Sequence, residues 1–201
     1  MEKMVIIGII GADGTGKTRL AKCLAQKHNA KLYSVHEHLL GLFFSKHDRE
    51  QLDRAEFTEF SNTLRKESND PAIAIRSTVE GILKKNRPGV YIIESLFCPG
   101  EIDYLKEACS GKAELILIGI LMHSENRVKR IDKNKAFKKV NALNVAILST
   151  SEWSKWTDWS EKNFWNISVD ECLARIPESN LFQNEGKISG FIDEVEKILV
   201  W

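Results

Sequence analysis

The run Gly11-Ala12-Asp13-Gly14-Thr15-Gly16-Lys17-Thr18 constrains this chain more than any other segment. It follows Met4 to Ile10, a short, β-branched and almost unbroken apolar stretch that suits a central parallel strand covered on both faces. It precedes Leu20, Ala21, Leu24 and Ala25, apolar residues recurring at helical spacing. Strand, glycine loop and helix in that order are the context in which G-x-x-x-x-G-K-[ST] means phosphate binding. Glycines let successive backbone N–H groups turn toward phosphate oxygens, and the helix N-terminus adds positive potential. Lys17 is expected to reach the β and γ phosphates and Thr18 to ligate Mg²⁺. The expected ligand is therefore ATP with Mg²⁺, held by all eight residues Gly11, Ala12, Asp13, Gly14, Thr15, Gly16, Lys17 and Thr18. A dinucleotide loop is excluded, because G-x-G-x-x-G read from Gly14 and Gly16 places Arg19 at the third glycine.

The rest of the chain alternates strand and helix signals. Lys31 to Val35 reads as a second strand, and Leu52, Phe57, Phe60 and Leu64 mark a helical stripe. Asp70 before Pro71 resembles an N-cap with proline at the first helical position, and Ile75, Val79, Ile82 and Leu83 form the buried face that follows. Val90 to Ile93 is a third strand ending on Glu94, and Pro99 and Gly100 open a helix through Cys109. Leu115 to Met122 reads as a fourth strand, and Ser124 as the cap of a basic helix. Ser168 with Glu171 resembles a capping box whose helix Pro177 closes. Asn180 to Gln183 makes a fifth strand, and Phe191, Ile192, Val195, Ile198 and Leu199 a last helix. The expected fold class is α/β: a three-layer arrangement around a parallel sheet of about five strands. One domain spanning 1–201 is expected, with a helical lid and an irregular segment at approximately 124–165.

Composition narrows the function classes. A net charge of +1 gives no global pull toward nucleic acid, so any charged site is local. Cys23, Cys98, Cys109 and Cys172 lack the C-x-x-C spacing of zinc or redox sites, which fits reduced thiols in a cytoplasm. The apolar stretches Met4 to Ala12 and Leu115 to Met122 fall short of the roughly 18 to 20 residues of a membrane helix. No membrane partner is expected.

Several residues outside the glycine pattern are candidates for chemistry. Glu94 stands at the carboxyl edge of the sheet, where it could hold Mg²⁺ through water or take a proton from an acceptor hydroxyl. Asp13 is unusual, since a carboxylate beside phosphates is repelled unless a cation or a substrate hydroxyl compensates. Arg127 and Arg130 lie three apart and share a helix face suited to clamping transferring phosphoryl oxygens. Lys129, Lys133, Lys135, Lys138 and Lys139 continue that basic run, leaving a solvated helix or a nucleic-acid patch as alternatives. Arg65 and Arg76 are acceptor-phosphate candidates, with surface ion pairing the plainer expectation. His36 and His38 follow the second strand, sharing a face only if extended and lacking a third metal ligand nearby. Trp153, Trp156 and Trp159, with Trp165 nearby, are expected to pack a core or a lid rather than stack on a base.

The chain also resembles the nucleoside and nucleotide kinase branch of P-loop proteins. GADGTGKT is similar to the thymidylate kinase loop, which carries an aspartate at the position of Asp13. LRKE at Leu64 to Glu67, YIIESLFCPGEIDYLKE at Tyr91 to Glu107, and NEGKISGFIDEVEKIL resemble dephospho-coenzyme A kinases and their archaeal relatives. NRVKRI at Asn126 to Ile131 resembles the arginine-bearing start of their lid. The resemblance implies a P-loop NTPase fold with a helical lid and transfer of the γ-phosphoryl group of ATP to a nucleotide or nucleotide-like small molecule. In such a kinase Lys17, Asp13, Glu94, Arg127 and Arg130 are the expected catalytic residues, and Thr18 and Glu94 the expected metal ligands. Glu94 is followed by Ser95, Leu96 and Phe97 instead of the acid–arginine pair of thymidylate kinases. The alternatives are thus a regulatory nucleotide-binding protein with little or no turnover, and a nucleic-acid-binding ATPase.

Overall fold

A strand buried along its whole length lies at the centre: β1, Met4–Gly11, is flanked by parallel β3, Gly89–Leu96, and parallel β4, Glu114–Leu121. The computed structural model describes residues 3–46, 54–123, 125–126, 169–185 and 188–199. β2, Lys31–Ser34, adds to β3, and β5, Leu181–Gln183, adds to β4, giving a five-stranded parallel sheet in the order β2-β3-β1-β4-β5.

Alternation along β1 sorts the two helical layers. Val5, Ile7 and Ile9 face α1, Lys17–Lys27, and α7, Ile188–Glu196, through Leu20, Leu24, Phe191 and Val195. Ile6 and Ile10 face the larger layer, made of α2 (Val35–Lys46), α3 (Arg54–Ser68), α4 (Ile73–Lys85), α5 (Pro99–Cys109) and α6 (Val169–Leu173). A strand apolar on both faces requires cover on both, which is why β1 shows no polar alternation. The three-layer α/β architecture expected from the sequence is the observed one, with five strands.

Four local expectations are corrected. Lys31 to Val35 yields its last residue to α2, so His36 and His38 sit on a helix, and the His36 ring packs edge-on against Phe57 at 5.3 Å. That helix carried no clear amphipathic stripe, because Leu40, Leu42 and Phe44 interrupt the buried Val35, Leu39 and Phe43. α4 starts at Ile73 rather than Pro71: Asp70 caps a preceding turn by accepting from Ala72 N at 3.0 Å. β3 continues past Glu94 to Leu96, and the helix expected to run to Pro177 is the short α6. The starts of α4 and α5 approach so closely that a Cβ on Gly100 would lie 2.5 Å from Pro71 Cβ.

Cys98, Cys109 and Cys172 are buried and Cys23 is half-buried; all four are free thiols. Burial pushes the Cys109 thiol up to about 11. No described helix is long and apolar enough to cross a membrane.

Candidate functional site

All five strands deliver their carboxyl ends to one edge of the sheet, and the glycine loop leaves β1 there. Gly11 lies against β4 so tightly that a Cβ would sit 2.7 Å from the Ile120 carbonyl oxygen. The chain then turns through left-handed Gly14 (φ 83°) and Gly16 (φ 100°) into α1. Gly16 occupies the N-cap position and has no side chain to satisfy the first N–H groups of α1, which suits an anion there.

Lys17, on the first turn, is buried. Its ammonium donates to the Ala12 carbonyl at 2.9 Å, stands 3.7 Å from Asp13 Oδ1, and lies 4.9 Å from the centre of the Phe97 ring. Lys17, one helical turn along, thus sets a cation beside the Asp13 carboxylate. Thr15 adds its hydroxyl to the same Ala12 carbonyl at 2.8 Å, tying the loop across its mouth.

One residue further, the Thr18 hydroxyl donates to Glu94 Oε2 at 3.0 Å, and Ser95 Oγ donates to the same oxygen at 2.8 Å. Glu94 is 3% exposed and makes no ion pair among the described residues. Strand alternation puts Glu94 on the face that Ile92 shares with α1, and a bulge follows it: β1 pairs Ile9 with Glu94 but Ile10 with Leu96, and the extra residue, Ser95, adopts φ 67°. Thr18 and Glu94 together present a hydroxyl and a carboxylate, the hard oxygen ligands that Mg²⁺ takes.

The turn after β3 is held by Glu101, which is fully buried. Its Oε2 accepts from the backbone N–H of Phe97 and Cys98 at 3.0 and 3.1 Å, capping α5, while Oε1 accepts from Arg65 of α3 at 2.7 Å. Arg65 is thus 2% exposed and committed to an internal pair, contrary to the surface ion pair expected of it. Arg76 is turned to Asp70, donating from its second guanidinium nitrogen at 2.8 Å, and lies 4.3 Å over the Tyr104 ring. Both arginines are thus bonded to carboxylates outside the glycine loop.

On the opposite side the segment after β5 grips the loop. Asn184, fully buried, donates from Nδ2 to the Thr15 carbonyl at 2.7 Å and from its backbone N–H to Leu121 O at 2.9 Å. Glu185 accepts from His123 N at 2.6 Å and from the Asn126 side chain. The His123 amide, with help from Asn126, holds the Glu185 carboxyl below its ordinary range.

The structure therefore gathers Gly11 to Thr18 with Glu94 at one sheet edge. Arg127, Arg130, the lysines from Lys129 to Lys139 and the four tryptophans from Trp153 to Trp165 lie outside the described residues. Ser95, Phe97 and Asn184 were not singled out as site residues from sequence. The polar pair Gln183 and Asn184 after the apolar Leu181 and Phe182, at the ligand edge, is the signal that points to Asn184.

No family model and no curated protein matches this chain in sequence. Solved structures do match in fold. A provisionally assigned kinase from Chloroflexus aurantiacus superposes with a TM-score of 0.59 at 16% identity, over 98% of either chain. The shikimate kinase of Bacteroides thetaiotaomicron gives 0.53 at 15% identity, over 97% of this chain and 98% of its own. The APS kinase of Mycobacterium tuberculosis, in complex with AMPPNP and APS, gives 0.50 at 11% identity over 99% of each. The chain has the α/β fold of P-loop kinases. At these identities the likeness carries the architecture alone.

Proposed function

We propose that this chain is an ATP-dependent phosphotransferase that passes the γ-phosphoryl group to a small molecule, a nucleotide or nucleotide-like compound by the resemblance of its sequence. The observation that carries the reading is the buried Glu94 carboxylate, hydrogen-bonded to Thr18 at the first turn of α1. A P-loop that only cradled phosphate would not need a buried acid held at the first turn of its helix. The APS kinase that shares the fold holds AMPPNP, an ATP analogue, which supports ATP as the donor.

Each residue then has a task. The amides of Gly11 to Thr18 bind phosphate oxygens, and Lys17 turns from the Ala12 carbonyl to the β and γ phosphates. Thr18 and Glu94 would hold Mg²⁺, which when bound neutralises charge building on the phosphates. Asp13, partly exposed beside Lys17, orients the acceptor hydroxyl toward the γ phosphorus. Arg127 and Arg130 close from the lid onto the transferring group. Phosphoryl transfer asks little more of a protein than this positioning and charge neutralisation.

The test is ADP release from ATP with Mg²⁺ across nucleoside monophosphates, deoxynucleotides and dephospho-coenzyme A. Acceptor-dependent release, lost by at least about 100-fold in Lys17→Ala with an unchanged circular dichroism spectrum, is the expected outcome. Unchanged turnover in Lys17→Ala would sink the assignment, and ATP binding without release for any acceptor would favour the regulatory alternative.

A further inference from the structure

The peptide that joins Thr15 to Gly16 has a left-handed glycine on its C-terminal side, Gly16 at φ 100°. Glycine on that side removes the Cβ clashes that normally restrict φ, so this unit can rotate at less steric cost than one between two residues that both carry side chains. Its orientation matters for the phosphate site. In a trans peptide the carbonyl of one residue and the N–H of the next point in opposite directions, and no described peptide here is cis. If the Thr15 carbonyl points away from the loop's concave side, the Gly16 N–H points into it. If the plane flips, a carbonyl oxygen faces the phosphates instead and repels them.

What sets that plane is Asn184. Its Nδ2 donates to the Thr15 carbonyl at 2.7 Å from a position that is fully buried, and its own backbone is fixed by the bond from Asn184 N to Leu121 O at 2.9 Å. The clamp therefore comes from the rigid end of the sheet, not from the loop. We infer that Asn184 is a positioning residue of the phosphate site: it locks the Thr15–Gly16 peptide with the Gly16 N–H turned toward the phosphate groups of a nucleoside triphosphate. It touches no phosphate itself. The inference rests on the proposed nucleotide-binding role of the loop.

The test replaces the donor while keeping the shape. In Asn184→Asp, an ionised carboxylate faces the Thr15 carbonyl with no proton to share, whereas the protonated acid can donate as the amide does. Burial raises the pKa of such a carboxyl, which brings the change into an accessible pH range. Affinity for AMPPNP with Mg²⁺ is measured by calorimetry between pH 5.5 and 8.5, as probe conditions of about that span, for wild type, Asn184→Asp and the apolar near-isostere Asn184→Leu. All are compared at a temperature where circular dichroism shows them folded.

Asn184→Asp is expected to bind about 10- to 100-fold more weakly than wild type at the alkaline end, and to recover most of that loss at the acid end. Asn184→Leu is expected to lose about 10-fold at every pH, since it has no donor to recover. Should Asn184→Leu fail to fold, the recovery of Asn184→Asp relative to wild type decides alone. Equal binding by Asn184→Asp and wild type at all pH values, or a loss that does not change with pH, overturns the inference and leaves the nucleotide site standing. A wild-type chain that binds no AMPPNP overturns the reading of the site, and this inference with it.

Discussion

Thr18 Oγ1 and Glu94 Oε2 meet at 3.0 Å, joining the first turn of α1 to the end of β3 across 76 positions of sequence. Glu94 pairs in register with Ile9, on the face that Ile92 shares with α1, and the Ser95 bulge follows directly after it. Neither residue would serve a metal as well alone, because a lone hydroxyl is a weak ligand and a lone strand-end acid is not aimed at the loop.

Replacing Glu94 by Gln keeps an oxygen for Thr18 and Ser95 to donate to but removes the charge. Turnover at limiting Mg²⁺ is expected to fall by about 10- to 100-fold, with part of the loss recovered at high Mg²⁺. A Mg²⁺ titration of the initial rate checks this. Identical Mg²⁺ dependence in the two proteins would remove Glu94 from the metal site.

The Arg65–Glu101 pair is the main buried ion pair of the larger helical layer, with side chains 3% and 0% exposed. Truncating one partner leaves the other charge without compensation, so Arg65→Ala is expected to lose about 3–5 kcal/mol of stability, read as a shift in the urea midpoint. Glu101 also caps the Phe97 and Cys98 amides, so the turn under Lys17 loosens with it. A loss under about 1 kcal/mol, the scale of an exposed pair, would contradict the burial.

Acid lability has a traceable contributor in Asp70. The Arg76 hydrogen bond, and after it the Ala72 amide, hold the Asp70 carboxyl below its ordinary value, partly opposed by burial. A carboxyl with a depressed folded-state pKa stabilises fully above its unfolded value, about 3.9, and progressively less as pH falls through the folded value. Stability measured by urea unfolding should therefore decline below about pH 4, and Asp70→Asn should flatten that decline. Parallel acid limbs in the two proteins would assign the lability elsewhere.

Much of the fold was legible because its signals are local. Period and composition within Met4 to Ile10, Val90 to Ile93 and Leu115 to Met122 mark buried strands without reference to anything distant. The α2 helix was missed because its apolar residues go nearly all round, and only contact with α3 and the sheet decides which are buried. Arg65 illustrates the same limit: its charge suggests the surface until Glu101, 36 positions away, comes to meet it.

The conformation of the glycine loop was determined by sequence alone, since glycine at positions 14 and 16 and lysine at 17 act through backbone conformation and side-chain reach within one turn. What surrounds the loop was decided only in three dimensions. Strand order places β3 and β4 on either side of β1, and that adjacency brings Glu94 to Thr18, Phe97 to Lys17 and Asn184 to Thr15. Such pairings join segments far apart in the chain, and their geometry depends on strand order and close packing, neither of which leaves a periodic trace in the residues themselves.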